Sequence, residues 1–269
     1  MSKLYKNKVI IDNDIVIKKR NDKLISLYDY LDERGFNNHP DIIDVKKDTI
    51  ETKFINKSKN YELIKGSSFI KTVSLLHNNT IEYKDVSKNK YKKIYDKLMG
   101  NIEYLKNYYE DMISKIEEEV FMSPSHYLFA RNYSIIDSSL KYSSNTLKKW
   151  FNDVKNNSKE RVCIVHNSLS MDHYIKGDKD YLLSFDNYLV DTPILDLYKF
   201  YKKEGYKYDF KSLLSIYEET FKLLDTEKEL LYVLISMPPK IEMIKDEYNN
   251  CINIRNSYDY IYSSMVCVN

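Results

Sequence analysis

The chain has 269 residues, 43% of them hydrophobic and 30% charged, so it is long and apolar enough to bury a core and is no disordered tail. Forty-two Lys+Arg against 40 Asp+Glu leave a net charge of +2, which argues against a nucleic-acid binder working through bulk positive charge. No apolar run approaches the roughly 18 residues that a membrane helix needs.

The start, MSKLYKNKVII, turns polar at Asp12, earlier than the apolar region of about 7–15 residues in a secretory signal. Residues 8–19 read as two β-branched runs around Asp12-Asn13, a β-hairpin. A helix follows, with Asp22 as its cap, Leu24, Leu27, Tyr28 and Leu31 on its apolar face and Gly35 past its end. Two extended stretches come next, one after Pro40 and one over 50–55. The polar run 56–60 is a hinge between a small N-terminal lobe, 1–58, and a larger one, 59–269.

Beyond the hinge the pattern is helical. A short helix covers 66–80, and apolar residues three and four apart over 88–121 predict one long helix, or two meeting at Gly100. Pro124 ends that segment, and another helix runs over about 126–155. Residues 161–165 and 180–185 read as short strands flanking a loop. The rest is helical over 193–204, 208–224, 226–237 and 239–265, with Thr226 and Glu229 forming a capping box. The order is a β-rich lobe followed by a helical one, an α+β chain of two lobes.

Three cysteines, Cys163, Cys251 and Cys267, have no metal-ligand spacing and suit a reducing, cytoplasmic compartment. One alanine, no glutamine and 26 tyrosines are the signature of an AT-rich genome, so the tyrosines read as core and boundary residues, not base-stacking platforms.

The segment RVCIVHNSLSMDHYI, followed by YLLSFDNYLVDTPILDLYKFY, resembles the catalytic core of the aminoglycoside phosphotransferase and choline kinase superfamily, and within it the bacterial spore coat protein S group. His166, Leu169 and Ile175 match that family's HGDLHPGNIL loop, and Asp191-Thr192-Pro193 with Asp196-Leu197 match its DP..DL signature. Residues 8–55 have the order of a kinase N-lobe, with Lys18 matching the ATP-binding lysine. The resemblance implies a protein-kinase-like fold, His166 as a brace of the loop, and Asp191 and Asp196 as structural acids that fix the loop and the following helix.

The departures fall where the family does its chemistry. The catalytic base falls on Ser168, and the two metal ligands fall on His173 and Ser184. The first 34 residues contain no glycine with which to fold a loop over phosphates. Phosphoryl transfer relies on Mg²⁺ held by hard oxygen ligands, and losing a carboxylate beside the ion removes several kcal/mol of favourable Coulomb energy, on the order of 4 at 4 Å and an effective dielectric near 20. Together these changes point to a pseudokinase serving as a binding, regulatory or structural module, with a nucleotide or small metabolite in the interlobe cleft, or a protein partner, and no required cofactor.

The alternative is an active phosphotransferase taking ATP with Mg or Mn through displaced carboxylates, Asp172 in the loop and Asp186 two residues beyond Ser184 on the same strand face. Lys18 is either a phosphate contact, a partner of Asp29 or Glu33, or a solvated lysine. His39, His77 and His126 stand isolated in the sequence, and no zinc motif has the spacing of Asp172, His166 and His173. Membership of the coat protein group would add a spore-associated location.

Overall fold

The computed structural model describes residues 3–5, 9–12, 14–58 and 65–268. By their contacts they form two compact units: 1–82 with 162–196 and 213–222, and 83–161 with 197–212 and 223–269.

The first unit begins with a five-stranded antiparallel sheet. Strands β1 (Lys3–Tyr5), β2 (Val9–Asp12), β3 (Ile15–Lys19), β4 (Ile42–Val45) and β5 (Thr49–Lys53) lie in the order β1-β2-β3-β5-β4. The hairpin is as read, one residue later. Asp12 pairs with Ile15, and Asp14, just before β3, takes a φ of 62°. An aspartate tolerates that left-handed backbone better than most residues do.

Helix α1 (Asp22–Glu33) buries Leu24, Leu27, Tyr28 and Leu31 as the periodicity requires. Asp22 is not its cap: Asn21 holds that position and Asp22 is the first helical residue, its carboxylate accepting from Arg20 Nε at 2.7 Å. The far end is closed by Gly35 at φ 77°, with Gly35 N donating to Asp32 O at 2.9 Å and Phe36 N to Leu31 O at 2.8 Å. This is the paired closure that an αL residue permits, and buried Phe36 and Leu31 accompany it.

Of the expected hinge, 59–60 lie outside the described residues; Ser58 N donates to Lys176 O at 2.9 Å. Helix α2 (Lys65–Asn79) then buries Phe69, Ile70, Val73 and Leu76. Strand β6 (Glu82–Asp85), missed by the alternation rule because it is polar, leads to the helices of the second unit.

There α3 (Lys90–Glu117) is continuous, and Gly100 does not break it. Pro124 does not end that segment; it opens α4 (Pro124–Val154), where a proline's fixed φ suits the first turn and Ser123 Oγ accepts from His126 N. Tyr109 of α3 stacks on Phe129 of α4 in the core.

Strand β7 (Lys159–Val165) returns the chain to the first unit. Strands β8 (Tyr174–Lys176) and β9 (Asp180–Leu182) pair as a hairpin, and β10 (Leu189–Asp191) lies antiparallel to β7 in a sheet ordered β10-β7-β6. The strand expected over 180–185 stops at Leu182. Ser184 takes φ 64° and ψ 49°, which turns the chain out of extension, and a 3₁₀ turn covers Phe185–Asn187.

Helices α5 (Ile194–Lys203), α6 (Phe210–Thr220), α7 (Asp225–Ser236) and α8 (Glu247–Val268) follow. The helix expected from 239 begins only at Glu247, and 238–246 are without helix. The cap of α7 is also displaced: Leu224 precedes the helix and donates its N–H to Glu227 at 2.9 Å, while Glu229 pairs with Lys149 at 2.7 Å. Arg161 meets Glu227 in an ion pair that is nine-tenths buried on both sides.

Candidate functional site

Strand β7 ends in four buried residues, and the next residue, His166, is buried with them. Its backbone N–H and that of Asn167 each donate to the carboxylate of Asp196 at 2.6 Å. Asp196 has no exposed surface. Its third partner is His77 of α2, whose Nε2 lies 3.1 Å from Oδ2. A carboxylate only accepts, so Nε2 carries the proton; Nδ1 meets the Tyr217 hydroxyl of α6 at 2.7 Å. One buried acid thus ties β7, α2 and α6 to the start of α5, all within the first unit.

His77 corrects the sequence reading that set it aside as isolated. Its partners lie 119 and 140 residues away, beyond any local rule. The signal was a histidine on an otherwise apolar helical face. His39 and His126 are likewise partnered, with Asp32 at 3.1 Å and Glu119 at 2.8 Å.

The loop after His166 is held as tightly. His166 Nε2 donates to Leu183 O at 2.6 Å, which fixes the ring's tautomer and leaves Nδ1 as the acceptor. Ser168 Oγ lies 3.4 Å from that Nδ1. Burial pushes the pKa of His166 below its ordinary value, against the opposing influence of Asp196. Asn167 takes a left-handed φ of 66°, and its side chain donates to Asn187 O at 2.8 Å. His173 Nδ1 donates to Ser168 O at 2.9 Å, its ring 5.4 Å from that of His166.

The first unit therefore brings Ser168, His166 and His173 together. Ser184 lies one residue beyond Leu183, the acceptor of His166. Asp172 and Asp186 are both exposed, and because β9 ends at Leu182 the two-residue alternation that was to align Asp186 with Ser184 does not apply. Asp191 accepts from the adjoining Thr192 N–H at 2.7 Å and Asp196 from the loop. Lys18 lies in β3 opposite Ile50 of β5, half-buried, and makes no ion pair among the described residues; Asp29 and Glu33 are exposed on α1.

The residues at the expected magnesium positions do not fit that ion. The hydroxyl of Ser184 and the imidazole of His173 stand there in place of hard oxygen ligands, and among the described residues no three of His, Cys, Asp or Glu converge as a metal site.

The second unit carries a groove of about 650 Å³ bordered by Tyr104, Tyr198, Lys202, Lys240 and Tyr260. Lys240 sits over the Tyr108 ring at 4.8 Å and pairs with Glu242 at 3.1 Å. Among the described residues no helix is long and apolar enough to cross a membrane.

No protein-family model matches the chain, and no curated protein matches it significantly. Solved structures do. An aminoglycoside phosphotransferase from Alicyclobacillus acidocaldarius superposes with a TM-score of 0.70 over 99% of this chain and 90% of its own, at 9% identity. The chain has a kinase-like fold. A glucosamine kinase matches with a TM-score of 0.57 over 99% of this chain and 73% of its own, at 8% identity. A second structure of glucosamine kinase, in complex with glucosamine, ADP and inorganic phosphate, gives 0.54 over 98% and 78%, again at 8% identity. The kinase-like fold is of the two-lobed α+β kind expected from the resemblance, with a small β-rich N-terminal part and a large helical remainder.

Proposed function

We propose that this chain is a kinase-like protein of the aminoglycoside phosphotransferase and choline kinase superfamily in which phosphotransfer is impaired, and that it works as a binding, regulatory or structural module. The observation that carries the reading is the pairing of an intact scaffold with uncharged residues at its chemical positions. Asp196 and His166 hold the loop, while Ser168 and Ser184 sit where the resemblance calls for carboxylates.

The neutral hydroxyl of Ser168 does not take a substrate proton as a carboxylate does, and the imidazole of His173 with the hydroxyl of Ser184 does not clamp Mg²⁺. The lobe boundary near 58 and Lys18 as a weak phosphate contact belong to this reading, as does a nucleotide or small metabolite bound without metal. The glucosamine kinase structure with ADP supports a small ligand. So does the groove of the second unit, whose 650 Å³ lies within the usual size of ligand pockets. Likeness to the spore coat protein S group extends the proposal to a spore-associated structural role.

Thermal melting with ATP, alone and with Mg²⁺ or Mn²⁺, tests it. The expected result is a small shift, or none, that is indifferent to metal. A large shift requiring metal and abolished by Asp172→Asn or Asp186→Asn would overturn it in favour of an active phosphotransferase built on those displaced acids.

A further inference from the structure

Replacing a carboxylate by a hydroxyl beside a histidine does more than remove a base. It creates a new pair. His166 is a buried imidazole whose two nitrogens are differentiated. Nε2 donates to Leu183 O at 2.6 Å, and Nδ1, left with its lone pair, faces Ser168 Oγ at 3.4 Å. A nucleophile, a base and a third group that orients the base are the parts of nucleophilic catalysis, here with a main-chain carbonyl as the orienting group. Such hydrogen bonds are commonly long before a substrate is bound.

We propose that Ser168 is a nucleophile activated by His166, able to take an acyl group from a small activated ester. The inference is independent of whether a nucleotide binds. Oγ attacks the ester carbonyl and forms the Oγ–C bond as its proton passes to His166 Nδ1. The leaving alkoxide departs with that proton, and water, deprotonated by the same nitrogen, then releases the acid and restores Ser168.

Three further features suit the role. Ser168 is half-exposed, so a small electrophile can reach it, whereas Ser170 nearby is buried. Its carbonyl is fixed by His173 Nδ1 at 2.9 Å, and the Asp196 bonds to His166 N and Asn167 N hold the two preceding residues. Burial keeps the imidazole unprotonated at neutral pH, the form in which it can accept a proton.

A fluorophosphonate is the direct probe, since serine attack forms a P–O bond, expels fluoride and hands the proton to the base. Intact mass should show one adduct per chain, mapped by peptide analysis to Ser168, at a rate at least tenfold above that of any other serine. Ser168→Ala should remove that adduct while leaving the thermal melt within a few degrees. The labelling rate should be flat above pH 7 and fall as His166 is protonated in acid. Because His166→Gln risks the fold, Ser168→Cys supplies a second measurement. Its thiol should react with iodoacetamide faster than free cysteine does at pH 6.5. Label spread over surface serines and tyrosines equally in the wild type and Ser168→Ala, or no adduct on folded protein, would sink the proposal.

Discussion

Two halves of one loop system, a few residues apart, are built on opposite principles. The half around Asp196 is fully buried and satisfied: two backbone N–H groups, a histidine and, through it, a tyrosine hydroxyl surround one carboxylate. The half around Ser168, His173 and Ser184 is half-exposed and carries no anion, and its nearest acids, Asp172 and Asp186, are exposed to solvent. A buried network is costly to leave incomplete, so it fixes geometry whatever chemistry sits beside it. The hydrogen-bonded scaffold of this loop system and the charge at its exposed end are therefore separable properties.

The comparison breaks most visibly at the acid. Asp196→Ala strands three buried donors, and the loss should be about 3–5 kcal/mol in urea unfolding. Asp196→Asn, which still accepts from some of them, should lose clearly less. An equal loss for the two would mean that the network does not act through its hydrogen bonds.

The opposite half is sharpened by adding charge. Ser168→Asp combined with Ser184→Asp should create Mg²⁺-dependent ATP binding, read as a melting shift absent from the parent; a ligand at 100-fold its Kd adds about 2.7 kcal/mol. Aspartate also suits the left-handed backbone of Ser184 better than serine does. No metal-dependent shift in the folded double variant would count against Ser168 and Ser184 as the positions that decide metal binding.

A third test concerns what fastens the N-terminal part to the β8–β9 hairpin. A methyl group at Gly177 would stand 2.9 Å from Ile55 Cγ2 and 3.3 Å from Asn56 O, so Gly177→Ala should cost roughly 1–3 kcal/mol through overpacking. Unchanged stability would show that the 55–58 segment yields.

The pH response of the buried half is smaller. Burial lowers the pKa of His166, so the unfolded chain binds its proton more readily than the folded one. Its contribution is present above the ordinary histidine value of about 6.5 and is lost as pH falls from there through the folded value. The melting temperature should drop across that window, and less so in a folded variant lacking His166. Smallest of all, Ser184→Gly should stabilise by about 0.5–1 kcal/mol by removing a side chain from a left-handed position.

What could be read from the sequence follows the range of the forces involved. The α1 face, the Gly35 closure, the β2–β3 hairpin and the long amphipathic helices are written in periods of two or 3.6 and in single turn residues, and they stand nearly as read. The polar strand β6 and the three-residue strands β8 and β10 have too little alternation to be visible, since pairing with neighbours creates them. The resemblance singled out His166 and Asp196, which the structure joins by a hydrogen bond. The site was opaque where tertiary contact alone makes the link: nothing near His77 in the sequence announces Asp196 or Tyr217. The projection of Asp186 from Ser184 failed for a local reason, a left-handed serine where an extended one was assumed.

The segment that follows the Gly35 closure has one more consequence. Leu182 N donates to Asn38 O at 2.8 Å, Asn38 Nδ2 to Asp180 O at 2.7 Å and Lys179 Nζ to Asn37 O at 2.5 Å, so the stretch leaving α1 is laced along β9. Any swing of α1 that carries this stretch along must undo those ties, and the backbone proton of Leu182 would then become open to deuterium. That single amide is a built-in clock for how often the helix lets go.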